Sequence, residues 1–354
     1  MKKLSKTNMC LGICLLSTII FLQGCSILTK DKIDPFKYGI INTEYDDEPS
    51  EVVLYDVNGN YISKHKTKYN GVILGSFMEH PITVGDKVYV TDPTNGNFAN
   101  EHILELDKHT MKFKKIENDR KIGPTTFAVD KGFAYMADSG PQGTALVKIN
   151  IETKEEINYI EFDGATDHII NYKNNLYLFS SNFDNQEIST GYVYIIDKED
   201  LSIKDTIIVD DISYSNDMEI INDDLYILKS SNGLDTRSNE LLKINIKSKK
   251  IEKIIMPFEN LFYIHHEDDF LYIVQDNNQR DQLDNKVAKY NLKTKEVQEF
   301  TTEFKNDASY VKDHKFITSD GIKIQIYKVD TFEKESEFTL KDTGKFFTTF
   351  FIND

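Results

Sequence analysis

The chain has 354 residues, with 42 basic against 58 acidic side chains, a formal net charge of −16, 40% hydrophobic residues and no tryptophan. Such acidity argues against nucleic acid as a partner and against direct binding to anionic lipid head groups, both of which need an attracting positive field. Three cysteines, two of them near the start, supply no disulfide framework, so any exported domain must rely on its packed core.

In chain order the first feature is an export signal. Lys2, Lys3 and Lys6 form a positive segment, and Leu11 to Phe21 is an apolar run. That run is shorter than the roughly 20 apolar residues a membrane span needs. It leads into Leu22-Gln23-Gly24-Cys25, which resembles the lipobox of bacterial lipoproteins. The resemblance implies a signal peptide over residues 1–24 and cleavage after Gly24. Cys25 would carry a diacylglyceryl thioether, with acyl chains of the palmitate type. Residues 25–35 then read as a lipidated tether, and the protein is expected outside the cytoplasm, anchored to the cell membrane through Cys25. An uncleaved amphipathic anchor is the competing reading. Two or more acyl chains give durable attachment.

From residue 36 onward one unit repeats. Its first mark is a strand holding an apolar-Tyr-apolar triplet: Val88-Tyr89-Val90, Ala134-Tyr135-Met136, Leu176-Tyr177-Leu178, Leu225-Tyr226-Ile227 and Leu271-Tyr272-Ile273, then a degenerate Lys315-Phe316-Ile317. Its second mark is a strand closing on Asp or Asn before a Lys/Thr-rich turn, at Asp56, Asp107, Asn150, Asp197, Asn245, Asn291 and Asp330. Four short strands in a period of about 45 residues is the signature of a propeller blade. Long helical periodicity is absent, which disfavours a helical solenoid.

The first copy lacks an inner strand, because Phe36 to Asn42 can serve only as its second. The last residues, Thr348 to Asp354, resemble the inner strand Thr125 to Asp130. The expected fold is therefore all-β: a β-propeller of seven four-stranded blades over residues 36–354, closed by the C-terminal strand completing blade one. Closure leaves only short, protected strand edges.

Asp86-Lys87-Val88-Tyr89-Val90-Thr91-Asp92, followed by Ile103-Leu104-Glu105-Leu106-Asp107, resembles repeats of the YVTN or surface-layer type of seven-bladed propeller. Such propellers host many functions, so the likeness implies a fold and no particular activity.

No hydrolase elbow, His-Glu-x-x-His, P-loop, dinucleotide fingerprint or full calcium loop is present. Counting nine residues back from each marker aromatic lands at the start of each inner strand: His80, Thr126, His168, Asp217, Tyr263 and Asp307. These positions should ring the mouth of the axial channel. His80, His168, Asp217 and Asp307 could there bind a divalent metal or do acid–base work, although a wet channel mouth collects polar residues in any case. The segments Asp92–Glu101, Ser180–Gly191, Ser230–Asn239 and Gln275–Lys286 read as long loops on that same face, whereas connections such as Asn222-Asp223-Asp224 opposite are tight. Binding usually resides in long loops on a rigid scaffold. All three arginines fall there: Arg237 and Arg280 in long loops, Arg120 in a connection reaching the same face. With His168 they are the candidate ligand contacts, since Arg makes planar bidentate contacts that Lys cannot. His265-His266 reads as a pair sent to opposite faces by strand alternation. His65, His102, His109 and His314 read as solvated.

Three functions compete. The first is a non-enzymatic binding module for a protein, peptide or glycan. The second is a metal-assisted hydrolase or lactonase at the channel mouth. The third is a structural envelope component.

Overall fold

The computed structural model describes residues 33–43, 48–72, 80–93, 100–117, 123–140, 143–182, 190–212, 214–231, 238–275 and 285–354. Pro35–Asp354 form one compact unit of seven four-stranded antiparallel sheets. The inner strands of blades two to seven are Ile82–Val84, Thr126–Asp130, Ala165–Tyr172, Tyr214–Ile221, Leu261–Glu267 and Ala308–Lys312. Among the described residues no helix is long and apolar enough to cross a membrane. Cys25, Arg120, Arg237 and Arg280 lie outside the described residues.

Blade one closes the ring as the sequence suggests. Phe346–Ile352 is its inner strand and pairs antiparallel with Tyr38–Thr43, in the register Tyr38↔Ile352, Gly39↔Phe351 and Ile40↔Phe350. Glycine is required at 39, because a Cβ there would lie 2.2 Å from the Phe351 ring. Phe350 and Phe351 are fully buried, so the closing strand brings core contacts as well as ladder hydrogen bonds.

The recurring Tyr packs one blade onto the next. Tyr89 belongs to the core between blades two and three, Tyr135 to that between three and four, Tyr177 to the next, and so on through Tyr226 and Tyr272. The recurring Asp or Asn builds a turn. Asn150 Oδ1 accepts the N–H groups of Glu152 and Thr153, and its main-chain oxygen accepts that of Lys154. Asp107 and Asn291 repeat the arrangement. The side chain thus mimics a backbone turn. Blade seven differs from the sequence reading: Lys328, not Asp330, ends the third strand, and its carbonyl accepts the Phe332 N–H.

Strand direction fixes which connections share a face. The inner strand runs away from one face and the second strand returns to it. The connection between second and third strands therefore opens where inner strands begin. Four such connections are long: from Pro93 to Asn100, Asn182 to Thr190, Ser231 to Glu240 and Gln275 to Lys286. The opposite face carries two-residue turns with positive φ, at Lys131-Gly132, Asn222-Asp223 and Asp313-His314. These suit a hairpin between right-twisted strands.

Candidate functional site

The inner strands bring an unusual set of titratable groups to the channel mouth. Regular alternation alone would not do this. Bulges fall between Thr166 and His168, between Ser215 and Met218, and between Leu261 and Tyr263. An extra residue in one strand re-aims the side chains beside it. Asp167, Asn216 and Asp217 sit in these irregular stretches.

The carboxylates face the next blade. Asp167 Oδ2 accepts the Ser215 N–H at 3.1 Å, and Asp217 Oδ2 accepts the Ile264 N–H at 2.9 Å. The other oxygen of Asp217 accepts the Met218 N–H at 2.8 Å. Asn216 follows the same pattern, donating to the Leu261 carbonyl at 2.8 Å. Blades four, five and six are stitched in this way near the axis. Burial nonetheless dominates the acidity: it pushes Asp167 up to about 7 and Asp217 up to about 8, the latter helped by nearby Glu219. Glu219 is itself raised by burial.

Two of the imidazoles, His80 and His265, gather toward blades six and seven. His80 precedes the inner strand of blade two, yet its ring lies 4.1 Å from that of Tyr263, 5.0 Å from Tyr310 and 5.2 Å from His265, centroid to centroid. His265 Nε2 shares a 2.8 Å hydrogen bond with Ser309 Oγ, and Tyr263 donates its hydroxyl to the Asp307 carbonyl at 3.3 Å. Tyr310 packs edge-on to Phe350 of the closing strand. Burial lowers His80 to about 3, with a smaller push from His168, and lowers His168 to about 4 against the backbone of Asn216 and Ser215. His265 falls well below the usual imidazole range, again through burial and then through His80. The imidazoles at the mouth are therefore neutral at pH 7. His80 Nε2 is buried and makes no hydrogen bond among the described residues.

These positions agree only in part with the sequence reading. His80, His168, Asp217 and Tyr263 all lie at inner-strand starts. Thr126 is fully buried, and Asp307 contributes main-chain bonds, its N–H to Ser319 and its carbonyl to Tyr263. The four expected ligands are each engaged differently: Asp217 holds two backbone N–H groups, His168 is buried, His80 lies among aromatic rings, and Asp307 bonds through its main chain. Among the described residues no group of three or more His, Cys, Asp or Glu could hold a metal ion. The expected solvation of His102 is corrected: its side chain is 14% exposed, with Nε2 3.7 Å from Glu117. His266 does turn outward, its Nε2 bonding the Asp268 carbonyl, while His265 turns inward.

Asp167, Glu219 and Tyr310 were not singled out from the sequence, and His265 was named only as half of a pair that strand alternation separates. A signal existed for two of them. His265 and Glu219 stand seven residues before their marker Tyr, on the same strand face as the nine-residue position. Asp167 and Tyr310 fall outside that alternation.

No protein-family model matches the sequence, and no curated protein matches it. Among solved structures the chain is similar to AztD from Citrobacter koseri, with a TM-score of 0.55 and 11% identity over 90% of this chain and 99% of that one. It is similar to hydrazine synthase from Kuenenia stuttgartiensis, with a TM-score of 0.55 and 12% identity over 89% and 98% of the two chains. The Pan2 WD40 domain of Neurospora crassa gives 0.53 at 9% identity, over 80% and 86%. At such identities the likeness is one of fold alone.

Proposed function

We propose that this protein is an extracytoplasmic lipoprotein, tethered through Cys25, whose propeller binds a protein, peptide or glycan through its long-loop face. The observation that carries the reading is the asymmetry of the two faces. One has tight turns throughout, whereas the other has four long connections around an axial mouth. Those connections are rich in Asn, Gln and Asp, as in Asp276-Asn277-Asn278-Gln279-Arg280-Asp281-Gln282, which suits hydrogen bonding to peptide or sugar groups. At the channel mouth Asp167, Asn216 and Asp217 are engaged in inter-blade hydrogen bonds, which favours recognition by the surface over chemistry inside it.

The test is photo-crosslinking in intact cells, with the reactive residue placed at position 237 or 280, or at Lys247 on the turn face. A discrete adduct from the first two positions and none from the third supports the reading. Equal labelling, or none from any position, would sink it. Metal-assisted hydrolysis is the second reading, supported by the unpartnered His80 Nε2 beside His265. Metal analysis of protein purified without added metal decides it, because a stoichiometric divalent metal is required.

A further inference from the structure

We infer that a cleft on the propeller rim, between the outer strands of blades one and two, binds a linear polyanion bearing successive phosphates. The cleft has a volume of ≈ 520 Å³ and is lined by Lys68, Tyr69, Phe113, Lys114, Lys115, Glu117 and Lys154. Tyr61–Asn70 and Lys112–Ile116 supply its walls, and the third-to-fourth-strand turn of blade three supplies Lys154. Four ammonium groups against one carboxylate reverse the sign of a chain whose net charge is −16.

Lys68 Nζ stands 5.2 Å and Lys115 Nζ 5.8 Å from the centre of the same Tyr69 ring, which packs edge-on against Phe113 at 6.2 Å. Lys114 is fixed by a 3.0 Å bond to the Ile151 carbonyl, a neutral acceptor that leaves its charge uncompensated. Lys115 has Glu117 at 3.7 Å. Among the described residues neither Lys68 nor Lys154, both exposed, makes an ion pair, in contrast to Lys173, Lys249 and Lys295, which pair with acids of neighbouring blades. Four lysines lining one cleft with a single carboxylate make a locally positive surface, which a bound polyanion would neutralise.

The chemistry favours phosphate on a flexible chain. Lysine binds phosphate as a point charge, with no need for the bidentate fork of arginine. A bilayer is a poorer fit, because none of the exposed large apolar side chains among the described residues lines the cleft. The overall acidity that opposes long-range attraction is screened beyond about 8 Å at physiological salt, whereas contacts inside the cleft are not.

The test is calorimetric titration of the full chain with long-chain inorganic polyphosphate, with sedimentation of phosphatidylglycerol vesicles as a second arm. Lys68→Glu together with Lys154→Glu should weaken polyphosphate binding at least tenfold and flatten its salt dependence. Lys250→Glu, an exposed change in blade five, should leave both unchanged. No wild-type binding at about 50 mM salt, or equal losses in the control, overturns the inference. Lysine-dependent capture by vesicles without polyphosphate binding overturns it in favour of a membrane contact.

Discussion

His80 of blade two and Tyr263 of blade six meet ring to ring, centroids 4.1 Å apart, although neither blade neighbours the other in the ring. The contact therefore crosses the axis, and with His265 and Tyr310 it closes part of the mouth. Removing the imidazole should loosen blades that share no strand edge. His80→Ala is expected to cost about 1–3 kcal/mol, the usual range for a packed side chain. Urea denaturation reads this directly, and an unchanged midpoint would mean that the ring contact contributes nothing.

The perturbed acids and imidazoles set a pH profile. His80 and His168 have lowered pKa values, about 3 and 4. Their contribution is present above the unfolded value of about 6.5 and is lost as pH falls toward those values. Asp167 and Asp217 are raised to about 7 and 8. The folded state then holds protons the unfolded chain has released, so their contribution is present below about 3.9 and is lost as pH rises. Between about 4 and 6.5 the two sets oppose each other; above 6.5 only the acids titrate. Stability should therefore decline from about pH 6.5 to 8, and Asp217→Asn should flatten that decline while lowering stability overall, since an amide keeps only one acceptor oxygen. A wild-type stability that rises over this window would contradict the raised acids.

Ring closure predicts a large effect at the chain's end. Deleting Phe346–Asp354 removes Phe350, Phe351 and Ile352, each almost wholly buried, and opens the ladder to Tyr38–Thr43. At roughly 1.5–3 kcal/mol for each large apolar side chain, the loss should exceed about 4 kcal/mol. A thermal melt of the truncated chain matching the intact one would refute closure as a major source of stability.

The fold was legible because its markers report local physics. A Tyr in the second strand of blades two to six serves blade-to-blade packing, and an Asp or Asn ends the third strand of the same blades, as at Asn150, where its oxygen caps a turn. Blade seven was harder to read, since Phe316 replaces the Tyr and Lys328 replaces the Asx, leaving Asp330 as a decoy. The mouth was legible only to one residue per blade. Counting back from Tyr assumes an unbroken period of two, and the bulges in blades four, five and six break it. Asp167 was missed for that reason. The sequence also gives no sign that Asp217 spends its oxygens on the backbone of Met218 and Ile264.

Lipidation makes a separate prediction. If the segment Leu22 to Cys25 is the lipobox proposed above, acylation requires the thiol, so Cys25→Ser should abolish incorporation of a fatty-acid probe and leave a precursor that keeps its signal. Undiminished label in the variant would remove the basis for a tether at this residue.

The working face gives the prediction that separates the functional readings. Arg237 and Arg280 fall in the sequence between consecutive described strands, so Arg237→Ala and Arg280→Ala should each change stability by no more than about 0.5 kcal/mol. If arginines anchor the partner, each should weaken capture by about tenfold or more, because anchor residues commonly carry over 1 kcal/mol of binding. His168→Ala should behave in the opposite way. His168 is only 9% exposed and packs beside Ser215 and Asn216 at a blade junction. Its loss should lower the melting temperature and reduce capture only as far as folded protein is lost. Scaling capture to folded fraction, read from the same melts, separates the two effects. Arginine variants that bind fully, alongside a His168 variant that stays folded yet fails to bind, would move the site from the loops into the channel mouth.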